Sequence, residues 1–241
     1  MLEGARDSLV RRLRVLEELV KARLEVDVPG MVAGVRARVE SRLHLSPLPI
    51  EADLASKPGP LGLGSVRTWA WEAPEARKVV LSHIGLRPVI EGLALVIHPS
   101  SKRAAPIFGA DLMALPTRLS VHADVYGASA LTVGVLEPLG ESFGRLRGES
   151  GPEWAQSIAS GSGLHAKPSP RLVDDAFAAL TGAVGRYLDV LIAAKEGTSD
   201  GNVPSNRDFF TAFHTNGPRK GPLGRLFGAA WAERYSRLIF E

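Results

Sequence analysis

The side chains able to do chemistry are few, and most fall into no familiar spacing. There is no cysteine, which removes disulfides, thiolate zinc sites, self-ligated iron–sulfur clusters and a cysteine nucleophile. The six histidines, at 44, 83, 98, 122, 165 and 214, include no HxxxH or HxH pair, so no metal site is expected. Gly59-Pro60-Leu61-Gly62-Leu63-Gly64 has the composition of a phosphate loop without its GxGxxG spacing. Lys220-Gly221-Pro222 is no Walker motif, and Gly161-Ser162-Gly163 is no GxSxG elbow. Asp111 is different. It follows Pro106-Ile107-Phe108-Gly109-Ala110 and precedes Met113. A carboxyl set against apolar groups has its charged form disfavoured and can hold a proton, as a general acid must. The plain alternative is a capping or turn aspartate.

Other polar groups divide by strand parity. Ser120 and His122 share one face of a strand over 119–126, and His83 points away from the face of Ser82. Arg219, Lys220 and Arg225 form either a solvated basic face or a clamp for carboxylates or an acidic partner. Trp69 and Trp71 alternate on one strand, as core or as a wall for a flat ligand.

The elements that must position these groups are legible from periodicity. Leu9, Leu13, Leu16, Val20 and Leu24 predict a helix over 5–25, and Val32, Val35, Val39 and Leu43 a second one. Residues 46–64 hold four prolines and three glycines and read as a long connection. Short apolar segments at Ser65–Glu72, Lys78–Gly85, Gly92–His98, Asp111–Leu115 and Leu119–Tyr126 predict an antiparallel meander. Val173, Phe177, Leu180, Val184, Leu188 and Leu191 mark a helix over 170–195. Another helix starts at Asp208–Ala212, and a last one runs from Leu223 to Phe240. Helices, then strands, then helices is the α+β class, with helices on both sheet faces.

Composition sets the outer limits. The 241 residues are 23% charged and 45% hydrophobic, with net charge +3. These values exclude a disordered chain, a coiled coil or a collagen, and the basic bias is too slight for a nucleic-acid partner. No apolar run of roughly 18–20 residues is evident, and the N-terminus lacks a signal-peptide pattern. One domain over 1–241, cytoplasmic and without membrane contact, is expected.

Two motifs resemble those of the ferredoxin-dependent bilin reductases. Pro106-Ile107-Phe108-Gly109-Ala110-Asp111 matches a family turn leading into a central strand. Leu226-Phe227-Gly228-Ala229-Ala230-Trp231-Ala232-Glu233-Arg234-Tyr235 matches the family's final helix. Their separation, the paired Arg77-Lys78 and Pro99 agree as well. The resemblance implies a three-layer α/β/α sandwich with a central antiparallel sheet. It implies a linear tetrapyrrole such as biliverdin held between the sheet and the C-terminal helices. It further implies single electrons from ferredoxin, no tightly bound cofactor, and Asp111 as catalytic proton donor.

Phe108, Ser120, His122, Arg147, His214, Asn216 and Arg219 are then the expected substrate-binding residues, with Lys167 and Lys220 as further candidates for the pigment's propionates. The sequence also departs from the family pattern. Val80 and Ser82 stand where the best-studied members have a histidine–x–glutamate pair, and Ala94 stands at a second family histidine. In Asn216-Gly217-Pro218-Arg219 the family's second acidic donor is missing. The alternatives are a bilin-binding protein without redox chemistry, or a reductase of a different open-chain tetrapyrrole.

Overall fold

A computed structural model describes residues 26–87, 90–115, 118–126, 146, 163–168, 172–194, 209, 211–213, 215 and 222–241. The expected helix over 5–25 lies outside them. Helix α1 (Val28–Glu40) starts at Asp27, whose carboxylate accepts the Gly30 N–H at 3.0 Å. It buries Val28, Met31, Val32, Val35 and Val39.

The stretch read as a connection carries short pieces instead: β1 (Ser46–Pro47), α2 (Ala52–Ala55) and β2 (Ser56–Pro58). Both strands pair with one edge of β3, where proline is tolerated. The meander follows as β3 (Gly64–Glu72), β4 (Ala76–Leu86), β5 (Ile90–Pro99), β6 (Ile107–Leu115) and β7 (Arg118–Tyr126). Strand β8 (Leu164–Ala166) closes the far edge, and every pairing is antiparallel. Strand β6 begins four residues before the sequence suggested, which places Asp111 mid-strand and not at the end of a turn.

Both sheet faces are buried, so the strands read as nearly continuous apolar runs. Val79, Leu81, Leu95, Phe108, Ala110, Leu112 and Val121 share a core with α1 and with α3 (Val173–Ala193). By length and composition α3 is apolar enough to cross a membrane, contrary to the sequence reading, and half of that stretch is buried. Its Leu180, Val184, Leu188 and Leu191 belong to this core. The Tyr187 hydroxyl donates to the Pro106 carbonyl at 2.7 Å and its ring stacks on Phe108, which fixes the start of β6. Trp69 and Trp71 take the core role, with the Arg36 guanidinium over both rings.

On the other face Val66, Ala70, Val80, Ile84, Val96 and Ile107 pack with the last helices, α4 (Pro222–Phe227) and α5 (Ala229–Phe240). The expected single helix breaks at Gly228, whose φ of 85° is left-handed and natural only to glycine.

Three side chains of β4 and β5 hold the C-terminal turn of α5. Lys78 Nζ donates to the Leu238 carbonyl at 2.8 Å, His98 Nε2 to that of Ile239 at 2.8 Å, and Arg77 to that of Glu241 at 2.7 Å. These are the carbonyls that a helix end leaves unpaired. Arg77 also donates to His98 Nδ1 at 3.1 Å, so the imidazole is neutral with its proton on Nε2.

Burial, with the Lys78 and Arg77 charges nearby, pushes His98 down to about 3. The sign for stability follows. Above about pH 6.5 the ring is neutral folded or unfolded. Below that value the unfolded chain binds a proton the fold refuses, so stability falls with pH through the window down to about 3. Urea unfolding at pH 7.5 and pH 5 is expected to show about 2 kcal/mol more loss in wild type than in His98→Gln, which keeps a donor but does not titrate. Equal losses would contradict this.

Candidate active site

Alternation brings one row of residues across the sheet, on the face toward α5. Thr68, Ser82, Ala94, Asp111, His122 and His165 are successive partners on β3 to β8. The β3–β4 end of this row is closed. Ser82 is fully buried and shares a 3.2 Å hydrogen bond with Thr68. Val80 packs in one core with Trp231 and Tyr235 of α5. The chemistry therefore lies at the β6–β8 end.

There Asp111 Oδ2 is 2.9 Å from His122 Nδ1, and the Tyr126 hydroxyl is 2.7 Å from His122 Nε2. Burial, with Asp124 and Asp111 nearby, pushes the Tyr126 phenol well above its ordinary range. Tyr126 thus keeps its proton and donates it to Nε2 of the ring. Nδ1 then carries a proton of its own and donates it to Asp111 Oδ2. The Asp111 side chain is 33% exposed and that of His122 16%. Their bond lies at the surface of the site, accessible to a bound molecule. The apolar enclosure expected around Asp111 is only partial. Ile107 and Met113 are on its face, whereas Phe108 points the other way.

Phe108 was expected against the substrate. It is fully buried on the opposite face, its ring 4.7 Å from that of Tyr187. Three positions from Asp111 on one strand is the wrong parity for a shared surface. Ser120 and His122 share a face as expected, with Ser120 opposite Met113 on β6. Lys167 is exposed beyond the end of β8. Arg147, His214, Asn216, Arg219 and Lys220 lie outside the described residues. His83 is on the α1 side, near Glu91.

Sequence reasoning missed three groups. Tyr126 and Asp124 follow His122 at spacings of four and two, so alternation on β7 carried that signal. His165 carried none, because its neighbourhood to His122 exists only through β7–β8 pairing. Its ring centroid is 4.4 Å from that of His122, and its Nε2 is 3.4 Å from Asp124 Oδ2. Asp124 is fully buried, and its Oδ1 accepts the Val125 N–H at 2.7 Å. A Cβ at Gly163 would lie 2.3 Å from the Asp124 carboxyl carbon, so the glycine makes room for the carboxylate.

His122, Asp124 and His165 offer ligand atoms within 4.8 Å of one another. Both nitrogens of His122 are already hydrogen-bonded, so a cation would have to displace Asp111 or Tyr126. Beside the row, Tyr126, Phe209, Phe213 and Phe240 pack as an aromatic cluster in the core toward α5, with centroid separations of 4.6 to 5.8 Å. A hydrogen-bonded acid–base pair open at Asp111 suits proton transfer to a bound molecule.

Comparison with known proteins agrees. The phycoerythrobilin:ferredoxin oxidoreductase of Nostoc punctiforme is 26% identical over 220 residues, 83% of this chain and 86% of that protein. The enzyme of the same name from Gloeobacter violaceus is 27% identical over 211 residues, 80% and 86% of the two chains. The crystal structure of tomato phytochromobilin synthase in complex with biliverdin shares the fold. It has a TM-score of 0.74 at 15% identity and covers 89% of this chain and 83% of that one. The sequence model of the ferredoxin-dependent bilin reductases matches residues 32–241, which takes in every described strand, α1 from Val32 on and the later helices. The chain therefore belongs to the ferredoxin-dependent bilin reductase family of oxidoreductases.

Proposed function

We propose that this enzyme reduces biliverdin, or a closely related linear tetrapyrrole, bound against the β6–β8 end of the sheet, with Asp111 as proton donor. Residues 1–241 act as one domain in this reading. Each double bond reduced consumes two electrons, delivered singly by two reduced ferredoxins, and two protons. Added electron density makes the pigment more basic, so an acid must be waiting within hydrogen-bond reach. The observation that carries the reading is the Asp111–His122–Tyr126 chain, which is internally hydrogen-bonded and open to the site at Asp111. Tyr126 sets the tautomer of His122, and His122 orients the Asp111 carboxyl and shares its proton. The tomato neighbour's biliverdin supports the substrate class. Two propionates remain for Ser120, Lys167 and the basic residues at 147, 219 and 220 to pair.

The test is product identification. Anaerobic incubation with biliverdin and reduced ferredoxin is expected to consume two electrons per double bond and yield a chromatographically distinct bilin. Biliverdin recovered intact from a tight complex would favour the carrier; no binding, with turnover of another open-chain tetrapyrrole, would move the substrate assignment.

A further inference from the structure

The geometry points to His165 as a second proton donor to the bilin, held in place by the buried Asp124. This rests on the proposed reading of the β6–β8 surface as the bilin site. The first acid holds too little by itself. One transferable proton is carried by the Asp111 carboxyl, whose Oδ2 accepts from His122 Nδ1, and Tyr126 keeps its own. Once that proton has gone to the pigment, the pair is a carboxylate and a neutral imidazole. A double bond needs a second proton.

His165 is the next residue in the row. Its ring lies against that of His122 and its side chain is 17% exposed, as open as that of His122. Nε2 faces Asp124, and Nδ1, on the other side of the ring, is the atom assigned to the bilin. Asp124 supplies the counter-charge when the ring carries both protons. Asp124 is fully buried within β7, where its Oδ1 accepts the Val125 N–H and its Oδ2 faces His165 Nε2. Leu164 and Ala166, on the other face of β8, already supply the apolar contacts. The balance closes. Two ferredoxins are oxidised and give two electrons, Asp111 and His165 give one proton each, and two C–H bonds form across the former double bond. Asp111 is left as a carboxylate and His165 as a neutral ring, both open enough to be refilled by water.

The test is single turnover of the biliverdin complex with excess reduced ferredoxin, read by absorbance and electron paramagnetic resonance. His165→Gln keeps a donor toward Asp124 and cannot pass a proton on. It is expected to bind biliverdin within about twofold of wild type and to form the one-electron radical at the normal rate. Decay of that radical to product should then slow about 100-fold. In His165→Ala, added imidazole should restore the decay. A structural role would produce neither the stalled radical nor the rescue. Radical decay at the wild-type rate in both variants would overturn the inference and leave the bilin reading intact. A wild type that neither binds nor reduces biliverdin would remove the bilin reading instead. Should the variants not fold, wild type decides through a pH-indicator dye in weak buffer. Uptake of both protons after product formation supports two internal donors, and uptake of one in step with it overturns them.

Discussion

Asp111→Asn is expected to leave biliverdin bound and to lower the rate of its reduction by roughly 10²–10⁴-fold, the usual worth of a positioned general acid. Asparagine has the shape of the aspartate, and its carbonyl oxygen can still accept from His122 Nδ1. The Asp111–His122–Tyr126 geometry therefore survives while the transferable proton is lost. Because a third of the Asp111 side chain is exposed, folding stability should change by less than about 1 kcal/mol. The pigment's absorption spectrum in the variant should show binding, and the first electron should still arrive. Only product formation should fail. A variant that reduces biliverdin at the wild-type rate would remove Asp111 from the chemistry, whatever its hydrogen bonds. His122→Gln is expected to do less, about tenfold, because it disturbs orientation and leaves the acid.

Phe108→Ala should do the reverse. Its ring is fully buried and stacked on Tyr187, in the core between the sheet and α3. Removing it costs the transfer energy of the ring and leaves a cavity, about 3–5 kcal/mol in all. Urea unfolding should show that loss. Biliverdin affinity and turnover, measured per folded molecule, should stay within about twofold of wild type, since the cavity opens on the other side of the sheet. Unchanged stability with lost biliverdin binding would place Phe108 against the pigment and contradict the parity of β6.

Phe108 also shows what the sequence could and could not say. Residues 106–110 have the look of a turn, with a proline and a glycine in five positions, and a turn carries no alternation to read. Extending β6 back to Ile107 puts Phe108 and Asp111 on opposite faces at once. Where alternation was applied, on β7, it placed Ser120 and His122 together, and it would have added Asp124 and Tyr126. Both long helices and the five meander strands were legible because each repeats its apolar period several times. The pieces between 46 and 64 were not, since strands of two and three residues and a four-residue helix complete no period. His165 is the clearest loss. Forty-odd residues separate it from His122, and only long-range strand pairing joins them. The clamp of Arg77, Lys78 and His98 on α5 is of the same kind, with two strands and the last helix meeting across more than 140 residues.

The central claim is that a bilin bound on this face is reduced by ferredoxin electrons and proton transfer from the Asp111 pair. Absorbance titration with biliverdin, followed anaerobically by stepwise addition of reduced ferredoxin, tests it most directly. The predicted result is a perturbed bound spectrum at one equivalent. It should pass through a paramagnetic intermediate after the first electron and shift to shorter wavelength after the second, as a double bond leaves the conjugated system. A bound spectrum that reduced ferredoxin leaves unchanged, or no bound spectrum at all, would contradict it.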